Sequence, residues 1–343
     1  MPMPSLPPDL SAAEFDALQE DLVRWRPMVE PLAARHALPG EALQALDAGS
    51  VMVVLIGRRA VFKLYPPQQR LLWAFERATL HLLHATGQFD GQVQVPVPTP
   101  VLLDSGEEQG WPWLVMSQLR GQVLTPHWPA LAEDQRCAVL HHIGQVMAAV
   151  HALPPAAVQG LAPLALQGGD WSAWIAQQRA GCHARQQRTG LPAHLLAQVD
   201  PFIVGPVPMP ERQHGVLLTG EYTPMNLLID PAQPHKLSGM FDFGDGLLGA
   251  REMDWLGPLV FMAAGHPKRV QALLTGYGLT TEKIEQHDEQ SGWRLPALRL
   301  MLLHRYSNLK AQLALPQWRQ ASSFEELAAW LWPADDSRST HTH

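Results

Sequence analysis

Between Val216 and Gly249 the chain reads VLLTGEYTPMNLLIDPAQPHKLSGMFDFGDGLLG, and its polar residues have the types that hold a cation and an anion together. Glu221 and Asn226 are separated by four residues, Asp242 comes sixteen positions after Asn226, and Asp245 three after that. Apolar runs (Val216–Leu218, Leu227–Ile229, Leu237–Phe241) alternate with these polar clusters, the pattern of short buried strands joined by polar turns. Carboxylates and an amide at the ends of buried strands are costly to hold without partners. A divalent metal and its anionic ligand are one natural partner set. Asp245 reads equally well as a substrate contact or a solvated turn residue.

A second group of candidates lies far upstream. Lys63 sits between Phe62 and Leu64 in the strand expected over Ala60–Tyr65. A mid-strand lysine can simply point to solvent, because neighbours alternate faces. Glu76, however, lies beside the apolar face (Leu72, Phe75, Leu80, Leu83) of a helix expected over Gln69–Thr86, from which it can reach inward. Gly49-Ser50 is a tight turn joining two strands, Ala42–Asp47 and Val51–Ile56, that precede Lys63.

Glu221-x-x-x-x-Asn226 followed by Asp242-Phe243-Gly244 has the spacing of a kinase catalytic loop and its metal-binding triplet. The stretch resembles the aminoglycoside phosphotransferase family, the kinase-like small-molecule phosphotransferases. That family carries His-Gly-Asp-Leu-x-x-x-Asn; here the segment is Thr219-Gly220-Glu221-Tyr222-Thr223-Pro224-Met225-Asn226, with Thr219 for the His and Glu221 for the Asp. Ala60-Val-Phe-Lys63-Leu is similar to the kinase third strand. Gly49-Ser50, Lys63-Leu-Tyr-Pro66 and Phe75-Glu76-Arg77 are similar to family segments, and Ser117-Gln118-Leu119-Arg120-Gly121 resembles the family hinge.

The resemblance implies an α+β, protein-kinase-like bilobal fold: a small antiparallel β N-lobe and a larger, mainly helical C-lobe, with an N-terminal helical extension. It implies divisions at 1–40 (extension), 41–118 (N-lobe), 119–334 (C-lobe) and 335–343 (disordered tail). It implies ATP (or GTP) and Mg²⁺ as cofactors. Gly49 and Ser50 would cover the phosphates, Lys63 oriented by Glu76 would hold them, and Ser117, Gln118 and Leu119 would meet the adenine. Asn226 and Asp242 would bind the metal, and Glu221 would accept the proton of a hydroxyl on a small molecule, aminoglycoside-like or another hydroxylated amine. Two other readings stay open: a nucleotide-binding protein with weak or no transfer, and a protein kinase. The second is disfavoured, since the span from Asp242 to Asp254 leaves no room for a long activation loop.

The supporting elements follow from patterning. Ser11-Ala-Ala-Glu14 has capping-box form and opens a helix expected over Ala12–Arg24, with a second over Met28–His36. A hairpin is expected with strands Val101–Asp104 and Trp113–Met116. Helices are expected over Glu133–Leu153, Trp171–Arg188, Pro192–Phe202, Ala297–Leu313 and Ser323–Trp332. His141, His142 and His151 have no metal-ligand spacing and read as structural, and Asp254 reads as a helix cap. Cys137 and Cys182 read as buried thiols in a reducing cytoplasm rather than a disulfide framework. A net charge of -7 argues against nucleic acid and leans weakly toward a cationic acceptor. No apolar run has the length of a membrane span and no secretory signal opens the chain. A monomer or homodimer is expected.

Overall fold

The computed structural model describes residues 11–19, 21–46, 50–85, 96–165, 168–220, 222–279, 292–313 and 315–333. Gly49, Glu221 and the tail from residue 334 lie outside them, so the expectations placed there are not addressed by the fold.

Helices α1 (Ala12–Leu18) and α2 (Leu22–Arg35) open the chain. The capping box forms as expected: Ser11 Oγ accepts from the Glu14 N–H and Glu14 accepts from the Ser11 N–H. The expected break near Pro27 is absent, and α2 instead starts behind an Asp21 cap and runs through Pro27 and Pro31. The carbonyl that Pro27 leaves unpaired belongs to Val23, which is 85% exposed, so water can serve it.

Strands β1 (Leu43–Leu46), β2 (Met52–Ile56), β3 (Ala60–Leu64), β4 (Leu102–Glu108) and β5 (Trp111–Ser117) form one antiparallel sheet in the order β1-β2-β3-β5-β4. Helix α3 (Arg70–Ala85) follows β3. The β4–β5 hairpin is longer than its sequence pattern implied. It turns at Gln109 and Gly110, which both take positive φ (51° and 88°), as a tight type I′ turn requires. Alternation along the strands divides the sheet. Met52, Val54, Phe62, Leu64, Trp113 and Val115 pack into a core with Phe15, Trp25, Met28 and Leu32 of α1 and α2. Tyr65, Leu114 and Met116 join the main core with α3. The N-terminal helices therefore cover one face of the sheet and leave the other to Lys63 and α3.

The remaining chain is mainly helical: α4 (Glu133–His151), α5 (Pro155–Gln159), α6 (Trp171–Arg188), α7 (Ala193–Leu196), α8 (Val199–Ile203), α9 (Glu252–Phe261), α10 (Pro267–Gly276), α11 (Arg294–Leu303), α12 (Leu309–Gln312) and α13 (Phe324–Leu331). The helix expected over Ala297–Leu313 is broken at His304–Asn308, and the one over Pro192–Phe202 is two short helices. Among these lie β6 (Gln122–Val123), β7 (Val216–Leu218), β8 (Leu227–Asp230), β9 (Gln233–Met240) and β10 (Leu247–Gly249). The short strands β6 and β10 were not legible in the sequence. Cys182 is buried as expected, but Cys137 is only partly so. Among the described residues no helix is long and apolar enough to cross a membrane.

Candidate active site

Two strand pairings place the polar clusters side by side. β8 pairs with β9 so that Leu227 faces Met240, and β7 pairs with β10 so that Leu218 faces Leu247. The loop from β7 to β8 and the loop from β9 to β10 must then run alongside each other. The first carries Gly220 to Asn226 and the second Asp242 to Gly246. The Phe241 N–H donates to the Asn226 carbonyl at 3.1 Å, which fixes Asn226 beside the start of the Asp242 loop. Helix α3 closes over that loop: a Cβ at Gly246 would lie 2.1 Å from Phe75 Cε1, so only glycine permits the approach.

Lys63 reaches this point from the opposite side. It alternates with Phe62 and Leu64, so those pack against α1 and α2 while its ammonium faces α3. Lys63 Nζ donates to Glu76 at 2.8 and 3.1 Å and to Asp242 Oδ1 at 3.1 Å. Lys63 is 6% exposed and Glu76 1%, which rules out the solvent-facing lysine. Tyr65, two residues along the same strand face, donates its hydroxyl to Glu76 Oε2. Burial alone disfavours the lysine's charge, but the Asp242 and Glu76 carboxylates more than offset it and hold its pKa above the ordinary value. Burial raises the Glu76 pKa, with Lys63 opposing. The ammonium is thus held as a cation between two carboxylates, ready to meet a third anion.

The side chain of Asp242 is 42% exposed and its φ is +70°, in the left-handed region that Asp tolerates better than most residues. One carboxylate oxygen meets Lys63. A half-open carboxylate beside a loop amide is the hard-oxygen donor set that Mg²⁺ accepts when phosphate oxygens supply the rest. Among the described residues no cluster of three or more His, Cys, Asp or Glu could hold a metal ion.

The other candidates fall as follows. Ser50 is exposed, just ahead of β2. Ser117 ends β5, donates its N–H to Val101 and accepts the Val101 N–H on its hydroxyl. The Gln118 N–H donates to Arg59, and its buried side-chain oxygen has no partner among the described residues. Leu119 lies against Gly239 of β9, so the segment spans from the five-stranded sheet to the paired loops. Asp245 is not a solvated turn residue: it accepts from Arg305 on the segment that breaks the last long helix. Burial raises its pKa against the pull of Arg305.

The sequence reading also missed a support. Asp254 does not cap its helix. Its two oxygens accept the N–H groups of Thr219 and Gly220, at 3.1 and 2.8 Å, and His151 Nε2 bonds Oδ2 at 3.0 Å. Nδ1 of His151 meets the Tyr277 hydroxyl at 2.9 Å. The residues just ahead of Glu221 therefore hang on a buried carboxylate. Only the spacing Gly249-x-x-x-x-Asp254 hinted at this.

A sequence profile of the phosphotransferase enzyme family, APH, matches residues 45–287, most of the chain. This chain belongs to that family. The aminoglycoside 3′-phosphotransferase of Streptomyces ribosidificus is 24% identical over 214 residues, 53% of this chain and 72% of that protein. Two solved APH structures share the fold. The GDP complex of a mutant aminoglycoside 2′-phosphotransferase-IIIa superposes with a TM-score of 0.61 at 16% identity, covering 83% of this chain and 91% of that one. The streptomycin–ATP ternary complex of APH(2″)-IIa gives 0.54 at 13%, covering 82% and 90%. The bilobal, kinase-like α+β architecture expected from the motifs is the architecture of these APH neighbours, and membership makes the protein a small-molecule kinase.

Proposed function

We propose that the protein transfers the γ-phosphoryl group of ATP, or GTP, to a hydroxyl of a small molecule. The observation that carries this reading is the convergence of Lys63, Glu76 and Asp242 from three distant segments, with Asn226 on the adjoining loop. The named ATP and GDP complexes among the relatives support a nucleotide in this cleft. Phosphoryl transfer asks a protein for positioning and charge neutralisation more than for covalent chemistry.

Each residue then has a task. Lys63, aimed by Glu76, pairs the nucleotide phosphates. Asp242 and Asn226 would hold Mg²⁺, whose charge would offset that of the phosphate oxygens. Glu221 accepts the hydroxyl proton as the nucleophile attacks; its carboxylate has one more methylene than the aspartate the family usually carries. The suspension of Thr219 and Gly220 from Asp254 fixes the base of that loop. Ser117, Gln118 and Leu119 meet the adenine, and the Gly49-Ser50 turn covers the phosphates. Residues 41–118 then form the nucleotide lobe, 119–334 the lobe that completes the site, and 1–40 an extension that stiffens the sheet.

The test is ADP release across a panel of hydroxylated small molecules, with Glu221→Gln beside the wild type. Acceptor-dependent release is expected, with Glu221→Gln lowering turnover far more than nucleotide affinity. Nucleotide binding with no release on any acceptor overturns transfer in favour of a silent nucleotide-binding protein. Equal losses in turnover and affinity would make Glu221 structural.

A further inference from the structure

A cavity of about 210 Å³ opens beside the β7–β8 loop, bordered by Gly220, the residue before Glu221. Leu256, Val260 and Phe261 of α9 and Met301 of α11 form its walls, and Met225, 47% exposed, stands at its mouth. Among the described residues no carboxylate lines it. The nearby Asp245 is already taken by Arg305. His304, a polar group in the lining, is pushed down to about 4 by burial and by the charges of Arg305 and Arg185, so it is neutral and offers a hydrogen bond without a charge.

We infer that this cavity is the acceptor site and that it selects a neutral, largely apolar hydroxyl compound rather than a polyamine. The inference rests on the phosphotransfer reading for the role of the site. A polyamine brings several ammonium groups, each of which must keep its water or find a carboxylate when the cavity closes on it. The described lining supplies none, and the nearby Asp245 and Arg305 already neutralise each other. Hydrocarbon surface, by contrast, gains from every apolar wall it covers. The two methionines add unbranched, polarizable side chains that adapt to an irregular carbon skeleton. His304 can orient one polar group while the hydroxyl faces the loop at Gly220. The weak lean toward a cationic acceptor came from net charge, which reports the whole surface and not this cleft, and from the acidic residues of the Val216–Gly249 stretch.

The neutral fluorophore N-phenyl-1-naphthylamine tests the cavity by direct titration, independently of turnover. Saturable, blue-shifted emission is expected. Met301→Trp, which fills the cavity, and Met225→Glu, which puts a carboxylate at an exposed mouth position, should each weaken it by about tenfold or more. A fluorescent ADP analogue, titrated on the same variants, checks that they are folded. Gentamicin should neither displace the fluorophore nor be phosphorylated. No saturable fluorophore binding, binding untouched in both folded variants, or displacement by gentamicin overturns the inference. If the fluorophore behaves as expected and no acceptor releases ADP, the phosphotransfer reading fails while the apolar cavity stands. If gentamicin is a good acceptor, phosphotransfer stands and the neutral, apolar class falls.

Discussion

Asp254 and His151 meet at 3.0 Å in the interior. Because the same carboxylate also accepts the Thr219 and Gly220 N–H groups, it ties helix α4 and helix α9 to the residue preceding Glu221. Asp254→Asn keeps the volume but turns an amide NH₂ toward a donor. The expected cost is about 1–3 kcal/mol of stability, the range for a buried hydrogen-bonding group left unsatisfied. Turnover should fall by about a hundredfold, the scale of a 1 Å misplacement. Urea unfolding and steady-state kinetics read the two effects. A change in nucleotide affinity as large as that in turnover would mean that Asp254 supports the whole cleft rather than the loop.

The Lys63–Glu76 pair is almost entirely enclosed. Glu76→Gln should destabilise by about 3 kcal/mol, the lower end for breaking a buried pair, because Asp242 remains to meet the lysine. Lys63→Met added to Glu76→Gln should cost less than the sum of the single changes. Denaturant midpoints of the four proteins give the coupling. Additivity would show that the two side chains are merely neighbours.

At Asp242 backbone and charge can be separated. The residue is left-handed, so Asp242→Asn, which tolerates that region, should stay within about 1 kcal/mol of the wild type, since a half-exposed ion pair contributes little. Asp242→Ala should be less stable than Asp242→Asn by roughly 1 kcal/mol, the cost of forcing an ordinary side chain into that region. Both should lose Mg²⁺-dependent ADP release. Turnover that survives either change would remove Asp242 from the metal site.

His304 gives a pH signature. Its pKa in the fold, about 4, lies below the ordinary histidine value of 6.5. The unfolded chain therefore binds a proton first as pH falls. The stability tied to a neutral His304 is complete above pH 6.5 and is lost as pH falls toward 4. His304→Gln, neutral throughout, should flatten the melting temperature across that window relative to wild type. Parallel curves for the two proteins would mean that His304 is not held neutral.

Several elements could be read along the chain because their signals are local. The alternation around Lys63 and the capping box at Ser11 depend on residues a few positions apart, and Asn226 and Asp242 are only sixteen apart. The hairpin turn at Gln109-Gly110 was less legible: its positive φ values suit glycine but are unusual for glutamine. The helix over Ala297–Leu313 was misread because apolar spacing continues through His304–Asn308, while the break that carries Arg305 to Asp245 answers a carboxylate sixty residues earlier.

The amino-acid order by itself determined which side chains carry charge at which spacing, and so the family resemblance that implied the kinase-like chemistry and the α+β class. Periodicity of two or of 3.6 residues is written into any single segment. Only the tertiary structure decided which carboxylate meets which partner. Beyond the Lys63–Glu76 pair that the resemblance implied, Glu76 also took Tyr65, Asp245 went to Arg305, and Asp254 to the loop N–H groups. A buried charge takes the partner that packing brings within hydrogen-bonding reach, and that distance is set by strand pairing and helix contact between segments that know nothing of each other along the chain. The same packing left the cavity beside Gly220 without a carboxylate among its described lining residues.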